Sequence, residues 1–278
     1  MSFSRLRQRL RRAISYQLSA ISHQTSREPR TASGEPRARS TFRPLPFETI
    51  VASPDELARV FATRMSGAAR RARADGRALS LVVPGGSIAQ AFFPVLADAA
   101  IDWTMVDVFW SDERAVGPDH EDSNYRVAKE LLLSHAGHAR AHRMPADDPD
   151  LDAAARTYER ELVRVLGDRP RFDVVLLGVG PDGHVCSLFP GHPALEEASR
   201  LVVAVADSPK PPPRRLTLTL PALAGAEIFI AAFGAAKRDV IREALWVPAS
   251  PLPVARAARS GAPTIFLLDT HSSQGSVV

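Results

Sequence analysis

The chain has 278 residues, a single cysteine and a formal net charge of +4. With 45% hydrophobic residues it can bury a sizeable core, and no apolar run approaches the length of a membrane span. One cysteine, Cys186, excludes an intrachain disulfide and a cysteine-based metal cage, and it fits a reducing compartment.

The positive charge sits at one end. Residues 1–43 hold ten arginines against only Glu28 and Glu35, which leaves the rest of the chain at a net −4. This segment is rich in Arg and Ser, and Leu6, Leu10, Ile14 and Leu18 fall on one side of a helical projection. It reads as a disordered extension or, alternatively, as an organelle-targeting segment. A nucleic-acid-binding arm is disfavoured, because no recognition motif or interleaved aromatic residue accompanies the arginines. The fold is therefore sought in residues 44–278, as one domain.

From Phe47 onward, apolar runs alternate with helical patterns. Ser53 as N-cap and Pro54 at the first helical position predict an amphipathic helix over DELARVFATRMSGAARRARAD. Leu79–Val83 reads as a short strand and Ile88–Ala100 as a helix. Met105–Trp110 reads as a strand, and Asn124–Ser134 and Leu151–Leu166 as helices. Phe172–Val179 is the most apolar strand candidate. Further strands are predicted at Leu201–Ala206, Leu216–Leu220, Glu227–Phe233 and Thr264–Leu268, with a helix at Ala235–Leu245. Strands spaced by helices imply an α/β fold with a parallel or mostly parallel sheet covered by helices on both faces.

Four polar motifs each follow an apolar run directly: PGGS after Val83, SDER after Trp110, GPDGH after Val179, and Gly234–Lys237 after Phe233. In a parallel sheet the carboxyl ends of the strands share one edge, and ligands bind there. Gly85, Gly86, Ser87, Asp112, Arg114, Asp182, His184 and Lys237 should therefore meet.

PGGS before a helix offers close backbone approach and free N–H groups to a phosphate or carboxylate, with Ser87 as N-cap and ligand contact. Taken alone it reads equally as an ordinary strand–helix turn. It is neither a dinucleotide fingerprint nor a P-loop. Arg114 has a fork suited to an oxyanion. Asp122 and Ser123 read as a turn and helix cap, with Asn124 balanced between structure and ligand contact. His184 suits proton transfer near neutrality, and Asp182 two residues away is placed to orient it. Cys186 reads as a small buried side chain. The other histidines of residues 44–278, His120, His135, His138, His142, His192 and His271, are expected at the surface, and no histidine spacing suggests a metal. Arg215 opens a strand of alternating leucine and threonine. Of the three lysines, Lys129, Lys210 and Lys237, the last two fall beside the candidate site.

VVPGGSIAQAFFPVLA, VFWSDERAVGPDHEDSNYRVAKELLL, FDVVLLGVGPDGHVCSLFPGHP and PKPPPRRLTLTLPALAGAEIFIAAFGAAKRDV together resemble the 6-phosphogluconolactonase family, in its order. The resemblance implies a Rossmann-like fold shared with sugar-phosphate isomerases and deaminases, and no metal or nucleotide cofactor. It implies hydrolysis of 6-phospho-D-glucono-1,5-lactone in the pentose phosphate pathway, by a cytoplasmic monomer or small homo-oligomer without nucleic-acid or membrane partners. It makes His184 the general base, Asp182 its support, and Gly85, Gly86, Ser87, Asp112, Arg114, Asn124, Arg215 and Lys237 the substrate-binding set. Two departures stand out. Ile88-Ala89 replaces the family's usual Thr-Pro, and Cys186 stands where the family usually has a small residue such as alanine or threonine.

Two other functions share parts of this pattern. A glucosamine-6-phosphate deaminase or isomerase would carry an acidic residue soon after the DGH turn, where this chain has Ser187-Leu188-Phe189-Pro190. A non-catalytic sugar-phosphate sensor would need a DNA-binding module, which residues 1–43 are too short to supply convincingly.

Overall fold

The structure is a computed structural model that describes residues 47–261 and 263–276. The expectation that residues 1–43 form an extension lies outside the described residues.

In chain order the elements are β1 (Glu48–Val51), α1 (Pro54–Ala74), β2 (Leu79–Val83), α2 (Gly86–Ala97), β3 (Val106–Trp110), β4 (Asp112–Arg114) and α3 (Asn124–Ala128). There follow β5 (Arg140–His142), α4 (Leu151–Leu166), β6 (Val174–Gly178), β7 (Val202–Val205), β8 (Arg215–Leu218), α5 (Leu220–Leu223), β9 (Glu227–Ala232), α6 (Arg238–Trp246), α7 (Pro253–Ser260) and β10 (Thr264–Leu268).

Seven strands form one sheet in the order β1-β10-β9-β6-β2-β3-β5. Every pairing in it is parallel, so the sheet is more uniform than the mostly parallel one expected. β2, β3 and β10 are buried at every residue, which requires cover on both faces and explains their predominantly apolar character; Ser80, Asp107 and Thr264 are the polar exceptions. α1 starts as the sequence predicts. The Ser53 hydroxyl accepts from the Glu56 amide at 3.4 Å, and the Glu56 carboxylate accepts from the Ser53 amide at 3.1 Å. Its core stripe of Leu57, Phe61, Met65, Ala68 and Ala72 keeps a three- to four-residue spacing. Phe61 meets Phe229 of β9 with ring centroids 5.1 Å apart.

The chain runs from β2 outward to β3 and β5, then returns to the other side of β2 and runs outward through β6, β9 and β10. Strand order thus reverses between β2 and β6. Their carboxyl ends splay into a crevice, the usual ligand site of open parallel sheets.

Four features were not expected. β1 and β5 are short edge strands. β4, only three polar residues long, joins β8 and β7 in a second, antiparallel sheet of order β4-β8-β7. α7 was also missed. The helix predicted over Asn124–Ser134 changes to a π-helical turn at Lys129–Leu133.

Not all the outlying histidines are surface groups. His142 is largely buried, with Nε2 2.8 Å from Asp107 Oδ1 and Nδ1 2.7 Å from Glu161 Oε1. Its ring stacks on Phe109 at 4.7 Å. Burial opposes charging this ring, but the two carboxylates outweigh it and raise its pKa. Asp107 is likewise opposed by burial, yet Arg140 and His142 hold it down at about 2. Arg164, with His142, holds Glu161 at about 2. A ring bridging two carboxylates that favour its charged form therefore ties the edge strand β5 to β3 and α4.

This network predicts a pH dependence of stability. The histidine contribution is complete below its unfolded value of about 6.5 and is lost as pH rises through the raised folded value. The carboxylate contribution is present above about pH 4 and is lost as pH falls towards about 2. His142→Gln should cost on the order of 1–3 kcal/mol near pH 5.5, with a smaller gap at alkaline pH. Paired thermal melts across that range check it, and a gap that widens with rising pH contradicts it.

Candidate active site

A cleft of roughly 200 Å³ opens where β2, β3, β6 and β9 end. Its lining includes Gly85, Gly86 and Ser87 after β2, Asp112 and Arg114 after β3, His184 after β6 and Lys237 after β9. Asn124 and Arg215 also line it. Of the sequence-predicted set only Asp182 stands outside the lining, and it touches the cleft through His184. Residues more than 150 positions apart in the chain thus meet at one sheet edge.

After β2 the backbone turns at Gly85, which is the N-cap of α2. Ser87 is the second residue of the helix and is exposed, so the expected serine cap is corrected to a glycine cap. The reason is steric. A Cβ on Gly85 would stand 1.8 Å from Asn124 Oδ1, so only glycine lets Asn124 pack against the turn. Gly86, at φ +67°, adopts the left-handed region open to glycine. The turn presents the first amides of α2 to the cleft.

After β3 the chain enters β4 through Ser111. Ser123 caps α3 as predicted, accepting from the Arg126 amide at 3.2 Å. Asn124 donates to the Asp112 carbonyl at 2.9 Å. Asp112 is buried within the protein's own contacts: Ser187 Oγ donates to it at 2.7 Å and Ser111 Oγ at 3.0 Å, and Arg215 lies 3.8 Å away. Its oxygens hold the wall of the cleft together.

Sequence reasoning missed Glu113. Its buried carboxylate accepts from the amides of Arg114 (2.8 Å), Asn124 (2.8 Å) and Tyr125 (2.7 Å), and from Ser123 Oγ (3.1 Å). Burial raises its pKa against those amides. A glutamate in a run of charges usually marks a solvated face, and nothing in SDER distinguishes it.

Arg114 and Arg215 are direct cross-strand partners between β4 and β8. Like charges placed opposite each other are unfavourable. Arg114 donates through Nη1 to the Asp122 carbonyl at 2.7 Å, while its buried Nε has no protein partner. Arg215 is 4% exposed. Burial, together with the Arg114 charge, lowers its pKa against the pull of Asp112. Its guanidinium lies 5.7 Å from the centre of the Phe189 ring. Two arginines facing one cleft make a site for an anion.

After β6 the turn answers why an aspartate and a histidine follow a buried strand. Asp182 Oδ1 lies 2.5 Å from His184 Nδ1. The ring packs on Phe189 with centroids 4.7 Å apart. A carboxylate on Nδ1 fixes the proton there and leaves the Nε2 lone pair for the cleft. Burial drives the His184 pKa below the ordinary histidine value, against the pull of Asp182. Burial also opposes ionising Asp182, but His184 and Lys210 outweigh it and hold this carboxyl low. At neutral pH the pair is therefore an imidazole against a carboxylate. Lys237 is likewise lowered, by burial and by Lys210.

Cys186 is buried, and burial pushes its thiol pKa well up, in keeping with a small core-like side chain. It also lines the cleft, and at φ 53° it is the one non-glycine residue with positive φ among the described residues. No three His, Cys, Asp or Glu side chains gather as metal ligands among the described residues.

Residues 52–266 match the family of glucosamine-6-phosphate isomerases and 6-phosphogluconolactonases. The chain belongs to this family. It is 44% identical over 220 residues to the 6-phosphogluconolactonase of Mycobacterium tuberculosis, covering 74% of this chain and 87% of that one. The crystal structure of a 6-phosphogluconolactonase from Shewanella baltica matches with a TM-score of 0.70 and 31% identity, over 81% of this chain and 97% of that one. The 6-phosphogluconolactonase structure from Trypanosoma brucei matches with a TM-score of 0.74 and 28% identity, over 83% and 99%.

Within this member of the family, Gly180 makes the pair's close contact possible. A Cβ there would stand 2.0 Å from His184 Nδ1 and 2.5 Å from Asp182 Oδ1. Gly180→Ala should part the two side chains while the sheet stays folded. Proton NMR checks it: the low-field signal of a strongly hydrogen-bonded Nδ1–H should disappear, with melting close to native. A signal that persists unchanged contradicts the contact.

Proposed function

We propose that this chain is a 6-phosphogluconolactonase, hydrolysing 6-phospho-D-glucono-1,5-lactone to 6-phospho-D-gluconate in the oxidative pentose phosphate pathway. One observation carries the reading: a neutral, carboxylate-held imidazole shares its cleft with a like-charged arginine pair and a glycine turn at a helix N-terminus. The first suits activation of water, and the second suits a substrate anchored by phosphate.

The chemistry follows from those groups. The phosphate is held by Arg114, Arg215, Lys237 and the Gly85–Ser87 turn, which fixes the lactone carbonyl near His184. Asn124 and Asp112 shape the wall around it. His184 Nε2 takes a proton as water oxygen bonds to the carbonyl carbon. The carbon–ring-oxygen bond then breaks, and the imidazolium returns the proton to the departing oxygen. Asp182 stabilises that imidazolium and keeps the ring in one tautomer. The product is an open-chain acid that ionises in water. Positioned acid–base transfer of this kind contributes on the order of a hundred- to ten-thousand-fold.

The deaminase reading needs a carboxylate soon after the DGH turn. The position holds Ser187, which donates to Asp112, and Phe189, which packs on the His184 ring. This favours hydrolysis. We read residues 44–278 as the catalytic domain. Among the described residues no helix is long and apolar enough to cross a membrane. A cytoplasmic monomer or small homo-oligomer fits a dissolved sugar-phosphate substrate.

Freshly made phosphogluconolactone should be hydrolysed well above its spontaneous rate, and the unphosphorylated lactone far more slowly. No ammonia should be released from glucosamine 6-phosphate. His184→Ala should lower kcat by on the order of a hundredfold or more with KM nearly unchanged. Near-native turnover by that variant would remove His184 from the mechanism.

A further inference from the structure

Lys210 has no part in the chemistry above, yet it touches both members of the Asp182–His184 pair. Its Nζ lies 3.3 Å from each Asp182 oxygen and 3.4 Å from His184 Nδ1. An ammonium has only protons to offer, and Nδ1 already carries a proton aimed at Asp182. The approach to the ring is therefore a charge held beside it.

The surrounding loop fixes that placement. The Lys210 carbonyl accepts from Ser208 Oγ at 2.9 Å and from Arg215 Nη2 at 2.9 Å. The Lys210 amide donates to Ser208 Oγ at 3.2 Å. Arg215 also donates to the carbonyls of Pro211 (3.2 Å) and Pro212 (2.9 Å). One arginine thus lines the cleft and anchors the proline-rich loop that carries the lysine.

We propose that Lys210 is a positioning residue that keeps the Asp182 carboxylate ionised against His184 and opposes protonation of the ring, so that the base stays ready for water. This deepens the reading of His184 as general base and rests on it. A carboxylate alone would favour the imidazolium, and a ring already protonated cannot accept a proton from water. An ammonium beside both groups keeps the carboxylate's orienting hydrogen bond and offsets its pull on the ring's charge.

The groups that face the ring are Asp182 from its own turn, Lys210 from the proline loop and Asp112 from the β3–β4 corner. Arg215 and Lys237 line the same cleft, Arg215 on the Phe189 side. Burial and Lys210 disfavour the charged ring, while Asp182 and Asp112 favour it, and the balance falls on the neutral side.

The test compares native protein, Lys210→Met and Lys210→Arg, each confirmed folded by circular dichroism. Two readouts are needed. One is the pH profile of kcat/KM for the phosphorylated lactone, corrected for spontaneous hydrolysis. The other is the NMR titration of the His184 ring, which needs no turnover.

In Lys210→Met both the acid limb and the ring's midpoint should move up by about half to one pH unit. On the acid limb, kcat/KM then falls about three- to tenfold, since a neighbouring like charge acts on the order of a unit. Lys210→Arg should stay near native. An unmoved His184 midpoint in Lys210→Met overturns the proposal, whatever happens to KM. That failure differs from failure of the underlying reading, which would show as retained turnover in His184→Ala.

Discussion

A carboxylate 2.5 Å from Nδ1 leaves the His184 ring one usable nitrogen, and the rest of the site is arranged around that restriction. Gly180 leaves the room a side chain would fill. Phe189 gives the ring a flat apolar partner that limits its rotation. The turn hangs from β6, a strand with four buried residues in the middle of the sheet, so the imidazole is anchored to the buried centre of the sheet. A ring with one fixed tautomer and one fixed direction is a base for a single approach. That is what attack on a planar carbonyl requires.

The charges around this base make sense only together. The chain beyond residue 43 carries a net −4, yet Arg114, Arg215, Lys210 and Lys237 all gather at one cleft or its edge. Asp112 and Asp182 are the acidic counterweights, and both are already engaged: Asp112 by Ser111, Ser187 and Arg215, Asp182 by His184 and Lys210. The cations are therefore only partly compensated, and the Arg114–Arg215 pair sits where strand register sets like charges face to face. Such an arrangement is costly when empty and is relieved by an anion with several oxygens. Such an excess of positive charge suits an anionic group whatever the shape of the molecule that carries it.

Much of this was legible because burial leaves a plain mark on sequence. Strands covered on both faces read as predominantly apolar runs, so β2, β3, β6, β9 and β10 are legible within a residue or two, and the motifs at their carboxyl ends follow. Ser53, Pro54 and Glu56 announce α1 by local chemistry alone. What escaped was what leaves no such mark. β4 is Asp-Glu-Arg, a strand by pairing and not by composition, so the small sheet and the Arg114–Arg215 adjacency could not be seen. Glu113 and His142 are charged residues that tertiary partners make burial possible for, and a sequence shows the residue without the partner. The Ser87 cap was misread because the deciding contact is steric, between Gly85 and an asparagine 39 positions away.

Arg215 shows why a site of this kind is hard to divide into substrate contacts and scaffold. Its guanidinium lines the cleft, approaches Asp112, contacts the Phe189 ring under His184 and holds the carbonyls of the Lys210 loop. Removing it would cost an anion contact, loosen the ring's support and free the lysine beside the base at once. The anion anchor and the proton-transfer pair are therefore mechanically joined through one buried side chain.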